Sequence, residues 1–180
     1  WLADFTETFY EMRKAKGITM EDAAKTMRNP LYFGAMMVKK DIADGMVAGA
    51  VNATSNVIRA AVQVIKMAPG IKSASSCFIM ESPYPEFGDQ GKMVYGDCGF
   101  IIDPDSEQLS DIAIATAKTA KDVVGLDPRV AMLSFSTKGS AKHACVDKVT
   151  TALELVKQKA PDLLVDGELQ ADAALIPSVG

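Results

Sequence analysis

The stretch Arg129–Lys142, RVAMLSFSTKGSAK, decides the fold. Its first part is apolar, through Val130, Ala131, Met132 and Leu133, and it then breaks into Ser134, Ser136, Thr137, Lys138, Gly139 and Ser140. A short apolar run bounded by small hydroxyl residues predicts a buried strand that runs into a loop. CVDKVTTALELVKQKAP follows as an amphipathic helix, and Pro161 stops it. Ligands of α/β sheets collect outside the carboxyl ends of strands, so this loop is a candidate site. Small residues let backbone N–H groups approach an oxyanion, hydroxyls add donors, and Lys138 adds charge. The next helix offers its N-terminus as well. The same residues also fit a plain capped turn with an exposed lysine. The GxxxxGK[ST] spacing of a nucleotide-binding P-loop is missing.

Working outward, LLVDGEL reads as another strand and QADAALI as the start of another helix. Upstream, DPDSEQLSDIAIATAKTAKDVVG is a strong helix. Acids crowd its first turn, Leu109, Ile112, Thr116, Ala120 and Val123 line one face, and Gly125 ends it. SASSCFIMES and KMVYGDCGF read as strands joined by the Pro/Gly-rich loop PYPEFGDQG. Alternating strands and helices from about residue 71 predict an α/β class with a layered, largely parallel sheet flanked by helices.

The opening is different. Leu2, Phe5, Phe9 and Met12 fall at helical spacing before Gly17. Thr19 is a good N-cap for MEDAAKTMR, and Pro30 suits the first turn of PLYFGAMMVKK. DGMVAGA reads as a short buried strand, and Thr54 or Ser55 can cap a helix reaching Met67. We therefore expect residues 1–70 to be a mostly helical part of a first α/β domain. Residues 71–180 would be most of a second, with the boundary near Pro69 to Lys72.

Composition sets the class. Of 180 residues, 48% are hydrophobic, enough for a sizeable core. The formal charge of -4 argues against non-specific nucleic-acid binding. Cys77, Cys98 and Cys145 are odd in number and lack CxxC spacing, so neither a disulfide framework nor a zinc site is expected. A reducing cytoplasm follows from that usage. No apolar run has the length of a membrane span, and no signal peptide is visible.

Other chemistry-bearing residues are few. Arg13 and Arg59 lie on helices whose opposite faces are apolar; a pair of guanidinium groups can clamp a phosphate, or each can be a solvated helix residue. Asp166, Glu168 and Asp172 crowd DGELQADAAL, as acid–base or Mg²⁺ carboxylates or as helix capping. His143, the single histidine, falls in a helix cap region, and no GxSxG elbow supports a triad. Cys77 and Cys98 are expected as core thiols.

MLSFSTKGSAK together with DGELQADAALIP resembles the phosphate acetyltransferase (phosphotransacetylase) family. FYEMRKAKGIT, DGMVAGAVNATSNVIRAAVQVIK and LSDIAIATAKTAK resemble it too, in one order along the whole chain. The resemblance implies two α/β domains with a cleft between them, in an isocitrate/isopropylmalate dehydrogenase-like architecture that is incomplete in this chain. It implies interconversion of acetyl-CoA plus phosphate with CoA plus acetyl phosphate, a homodimer and no tightly bound organic cofactor; separately, no metal site is expected. It places Arg13 and Arg59 at the family's substrate-binding arginines, and Ser136, Thr137 and Lys138 at the same cleft. The family's catalytic aspartate, downstream of an SRG-type motif, has no counterpart in Trp1–Gly180. The start at Trp1 and the stop after AALIPSVG read as cut ends, so a fragment that is inactive by itself is expected. Similar domains occur as acyl-CoA-responsive modules of hybrid malic enzymes and in phosphate butyryltransferase, and both readings stay open.

Overall fold

The computed structural model describes residues 1–68, 71 and 73–180. The expected boundary falls on Pro69, Gly70 and Lys72, which lie outside the described residues. The chain divides into two compact units, Trp1–Gly70 and Ile71–Gly180.

The first unit is helical. α1 (Leu2–Arg13) runs into a 3-10 turn over Lys14–Lys16, and Gly17 closes it in the left-handed conformation. α2 (Met20–Met27) starts at Thr19. The Thr19 hydroxyl accepts from the Asp22 amide at 3.1 Å, and Asp22 reaches back to the Thr19 amide at 3.3 Å, a complete capping box. α3 (Pro30–Lys39) is capped by Asn29, and α4 (Thr54–Val64) follows. Apolar residues at helical spacing bring Phe5, Phe9, Ala23, Met27, Ala35, Met36 and Val64 into one buried cluster. Thr19→Ala removes the α2 cap and is expected to cost about 1 kcal/mol. Urea unfolding of the two chains checks this, and equal midpoints would show the cap to be idle.

DGMVAGA is not a strand. The backbone from Gly45 to Ala50 is irregular, and Val47 and Val51 are wholly or almost wholly exposed, at 104% and 93%. The run has strand composition but pairs with no neighbouring strand, and a strand needs a partner ladder. The helix after it also starts without the expected cap: its N-cap is Ala53, not Thr54 or Ser55, and it ends at Val64, short of Met67.

In the second unit, β1 (Cys77–Glu81) and β2 (Lys92–Gly96) pair antiparallel, Cys77 opposite Gly96. α5 (Ser106–Thr119) opens with an Asp105–Gln108 capping box and passes into a π-turn over Ala120–Val124 before Gly125. That turn shifts the helical register, and Val123, expected on the apolar face, is exposed. β3 (Arg129–Leu133) pairs parallel with β4 (Leu164–Leu169) across the crossover helix α6 (Ala144–Lys159), and α7 (Ala171–Leu175) follows. α5, α6 and the two strands meet on Ala113, Met132, Val149, Ala152, Leu153 and Val156.

The expected single layered sheet is corrected here. Among the described residues there are two separate two-stranded sheets, one antiparallel and one parallel. Two strands alone do not bury both of their faces, and Leu133 and Leu164 are 44% and 61% exposed.

Candidate functional site

The loop after β3 and the strand β4 are bound to one another, residue by residue. Asp166, Glu168 and Gln170 each take a partner from Ser136–Gly139, across a bulge at Glu168 that interrupts the strand alternation. Lys138 Nζ pairs with Asp166 Oδ1 and also donates to the Gly167 carbonyl at 3.0 Å. Ser136 Oγ donates to Glu168 Oε1 at 3.0 Å, and the Gly139 amide donates to the same oxygen at 2.6 Å. Thr137 Oγ1 accepts from the Gln170 amide at 2.9 Å and lies 3.3 Å from Gln170 Oε1.

Local backbone makes this fit possible. Lys138 and Gly139 both take left-handed conformations, at φ 48° and 83°. For lysine this is uncommon; for glycine it costs little. β4 approaches β3 so closely that a Cβ on Gly167 would lie 2.7 Å from Cβ of Met132, so only glycine fits there without a shift. The pairing skips Glu168 as a bulge, with Met132 opposite Gly167 but Leu133 opposite Leu169. The Gly167–Glu168 peptide is cis.

Every amide from Ser136 to Ala141 donates inside the chain. Ser136 donates to Ser134 Oγ, Thr137 to Ser140 Oγ, Lys138 to the Glu168 carbonyl, Gly139 to Glu168 Oε1, Ser140 to the Thr137 carbonyl, and Ala141 to Ser136 Oγ. The backbone donors that sequence offered to a ligand are therefore already engaged. Ser136 is fully buried, Thr137 half-buried and Lys138 exposed.

Glu168 is 4% exposed. The Gly139 amide foremost, with its own backbone, the Ser136 hydroxyl and the nearby Lys138, holds its carboxyl below the ordinary glutamate range against the opposing effect of burial. Asp166 is likewise lowered, first by Lys138 and then by the Gly167 amide. A carboxyl depressed in the folded chain binds fewer protons there than in the unfolded chain. Its contribution is full above the unfolded value and is lost as pH falls through the folded value. Glu168→Gln is therefore expected to flatten the loss of stability on acidification below the ordinary carboxylate range. Urea midpoints across an acid pH series check this, and parallel slopes for the two chains would contradict it.

Arg13 ends α1 and is half-buried; Arg59 lies mid-α4 and is exposed. Neither has an ion pair or side-chain hydrogen bond among the described residues. Both belong to the first unit, and the Ser136–Ala141 loop to the second. Asp172 lies in the first turn of α7, where its Oδ1 accepts from the Ala173 amide at 2.9 Å. No group of three or more His, Cys, Asp or Glu is gathered for a metal ion among the described residues. His143 is the N-cap of α6, its Nδ1 accepting from the Cys145 amide at 3.1 Å. Cys77 and Cys98 are half-buried rather than core thiols, and all three cysteines are free. A cavity of about 800 Å³ in the second unit is lined by Ile112, Pro128, Val130 and Leu175 among others, and by none of the five candidate residues. Among the described residues, no helix is long and apolar enough to cross a membrane.

Sequence reasoning offered Ser136–Lys138 to a ligand and missed Asp166, Glu168 and Gln170 as their partners. The alternation D-x-E-x-Q at the end of a strand was the available signal.

Two solved structures superpose on the chain with TM-score 0.86: the EutD phosphotransacetylase from Staphylococcus aureus, at 42% identity, and a phosphotransacetylase from Streptococcus pyogenes, at 47%. Each match covers 98% of this chain and 52% of the other. The architecture is thus that of the phosphotransacetylases, which corrects the isocitrate/isopropylmalate dehydrogenase-like expectation. The family model for phosphate acetyl/butaryl transferase matches residues 2–180, and the chain belongs to that family. The phosphate acetyltransferase of Acetivibrio thermocellus is 54% identical over 99% of this chain and 54% of its own length. That of Bacillus subtilis is 46% identical over 99% and 53%. The chain spans about half the length of these curated relatives.

Proposed function

We propose that this chain is part of a phosphate acetyltransferase, which moves an acetyl group reversibly between CoA and phosphate. The observation that carries the reading is the 54% identity across 99% of the chain to a protein of that activity. The motifs STKGSA and DGELQ support it, since in this chain they make one bonded unit.

The chemistry is acyl transfer between a thiol and a phosphate. A free alkyl thiol has a pKa of about 8.5, so only a few per cent is thiolate near neutral pH. A base or a positive field must raise that fraction. The thiolate then attacks the acetyl carbonyl of acetyl phosphate, the carbon–oxygen bond breaks, and phosphate leaves with the electron pair. In the other direction phosphate attacks the thioester and the CoA thiolate leaves. Direct transfer between two bound substrates needs no enzyme nucleophile. Arg13 and Arg59 bind the phosphate and other substrate anions; each guanidinium keeps its charge and can hold two oxygens at once. Lys138 and Thr137 contribute at the exposed side of their loop, while Ser136 supports it from within. A homodimer in the cytoplasm, with CoA, phosphate and acetyl phosphate as its small-molecule partners, belongs to the same reading.

The test follows thioester absorbance with acetyl phosphate and CoA, using the polypeptide that carries this chain, with butyryl phosphate as the second arm. Acetyl transfer well above butyryl transfer supports the reading. Preference for butyryl, or no phosphate-dependent thioester chemistry, overturns it.

A further inference from the structure

We propose that Glu168 is a positioning residue: its carboxylate fills the donor nest of the Ser136–Ala141 loop from inside the chain, fixing the loop and closing that nest to substrate oxyanions. This goes beyond acyl transfer and does not depend on it.

The geometry carries the inference. One carboxylate oxygen of a 4% exposed side chain takes a hydroxyl donor at 3.0 Å and an amide donor at 2.6 Å. Charge-assisted bonds of this kind are short and about twice as strong as neutral ones. The Ser136 hydroxyl is fully buried and also accepts the Ala141 amide at 3.1 Å, so it passes the hold on Glu168 further along the loop. The Glu168 carbonyl accepts the Lys138 amide at 3.1 Å, so backbone and side chain of one residue grip the same turn. The two left-handed residues Lys138 and Gly139 give the turn the shape that directs the Gly139 amide inward. Such a concavity ordinarily receives a phosphate or a carboxylate. Here the guest is covalently part of β4.

Truncation of the guest has a specific chemical consequence. Glu168→Ala leaves the Gly139 amide and the Ser136 hydroxyl facing a hole the size of a small carboxylate. Unsatisfied buried donors are costly, so the loop opens locally. Formate has the size and charge to take the vacated place. A residue that merely fills space would show no such rescue.

The experiment measures amide hydrogen exchange at neutral pH on the polypeptide that carries this chain. In Glu168→Ala, amides 136–141 exchange at least about tenfold faster, while those inside α6 keep their rates. Sodium formate slows them again; sodium chloride at equal ionic strength does not. Glu168→Gln keeps an acceptor oxygen in place and falls between the two chains. Unchanged loop exchange in Glu168→Ala, or acceleration that formate leaves untouched, overturns the proposal. Should Glu168→Ala not fold, Glu168→Gln decides: acceleration confined to 136–141 supports the proposal, and wild-type rates refute it. Because exchange is read rather than turnover, the result stands apart from whether the chain transfers acetyl groups.

Discussion

In the polypeptide that carries this chain, Arg59→Ala is expected to lower kcat/KM for the proposed acetyl transfer about 100-fold, the scale on which loss of one preorganised donor to a developing anion is felt. The expectation rests on where the guanidinium stands. Arg59 is exposed on α4 and, among the described residues, holds no carboxylate of its own. Its charge is therefore available to a phosphate, and nothing in the fold depends on it. Stability should change by no more than about 0.5 kcal/mol, as for a surface substitution away from special features. Arg59→Lys should recover only part of the rate, since a lysine offers a point charge in place of a two-pronged planar donor. Steady-state kinetics with acetyl phosphate and CoA as varied substrates check this, alongside thermal melts. Unchanged kinetics would remove Arg59 from the site.

Phe9→Ala is expected to destabilise the chain by about 3–5 kcal/mol, the usual cost of truncating a buried phenylalanine. Phe9 is 1% exposed and meets Tyr32 edge-on, with ring centroids 5.8 Å apart. It belongs to the cluster that joins α1, α2, α3 and α4, so its loss leaves a cavity that four helices must share. Against a total of about 5–15 kcal/mol for a typical domain, that is a large fraction. Phe78→Ala is the control. Phe78 is 59% exposed on β1, and its truncation should cost within about 0.5 kcal/mol. Urea unfolding of the two variants checks the contrast, and equal midpoints would contradict the assigned core.

Much of the fold was legible because short-range chemistry sets it. Thr19 followed three residues later by Asp22, ahead of an apolar-periodic run, is a local helix-start signature, and α2 begins there. Gly17 and Gly125 close the helical runs before them because the left-handed ending they supply is local too. The hairpin of β1 and β2 follows from two strand-forming runs around a turn-rich loop. What was not legible depends on partners distant in sequence. DGMVAGA has the composition of a buried strand, yet composition does not provide the neighbour whose amides would complete it, and Val47 stands exposed. The expected single, largely parallel layered sheet failed for a related reason: strands were counted, but which edges meet is a tertiary matter.

The candidate site shows the same divide. The hydroxyl, glycine and lysine content of Ser134–Ser140 correctly marks a loop dense in donors. It says nothing of where those donors point. Six successive amides turn inward to acceptors of the chain itself, and the decisive one, Glu168 Oε1, lies 29 residues from Gly139 in sequence. Alternation through Asp166, Glu168 and Gln170 would have suggested one row of acceptors. The matching row of donors became visible only once β3 and β4 were side by side.

The central proposal is a division of labour: the guanidinium groups of Arg13 and Arg59 would receive the anion, and the backbone nest of the Ser136–Ala141 loop is filled by Glu168. Titration of isotopically labelled chain with inorganic phosphate, followed by NMR, tests it most directly. Saturable shifts at the Arg13 and Arg59 side-chain signals, with the Gly139 and Ala141 amides unmoved, are the predicted result. Saturable movement of the Gly139 and Ala141 amides, with both arginine signals still, would contradict it.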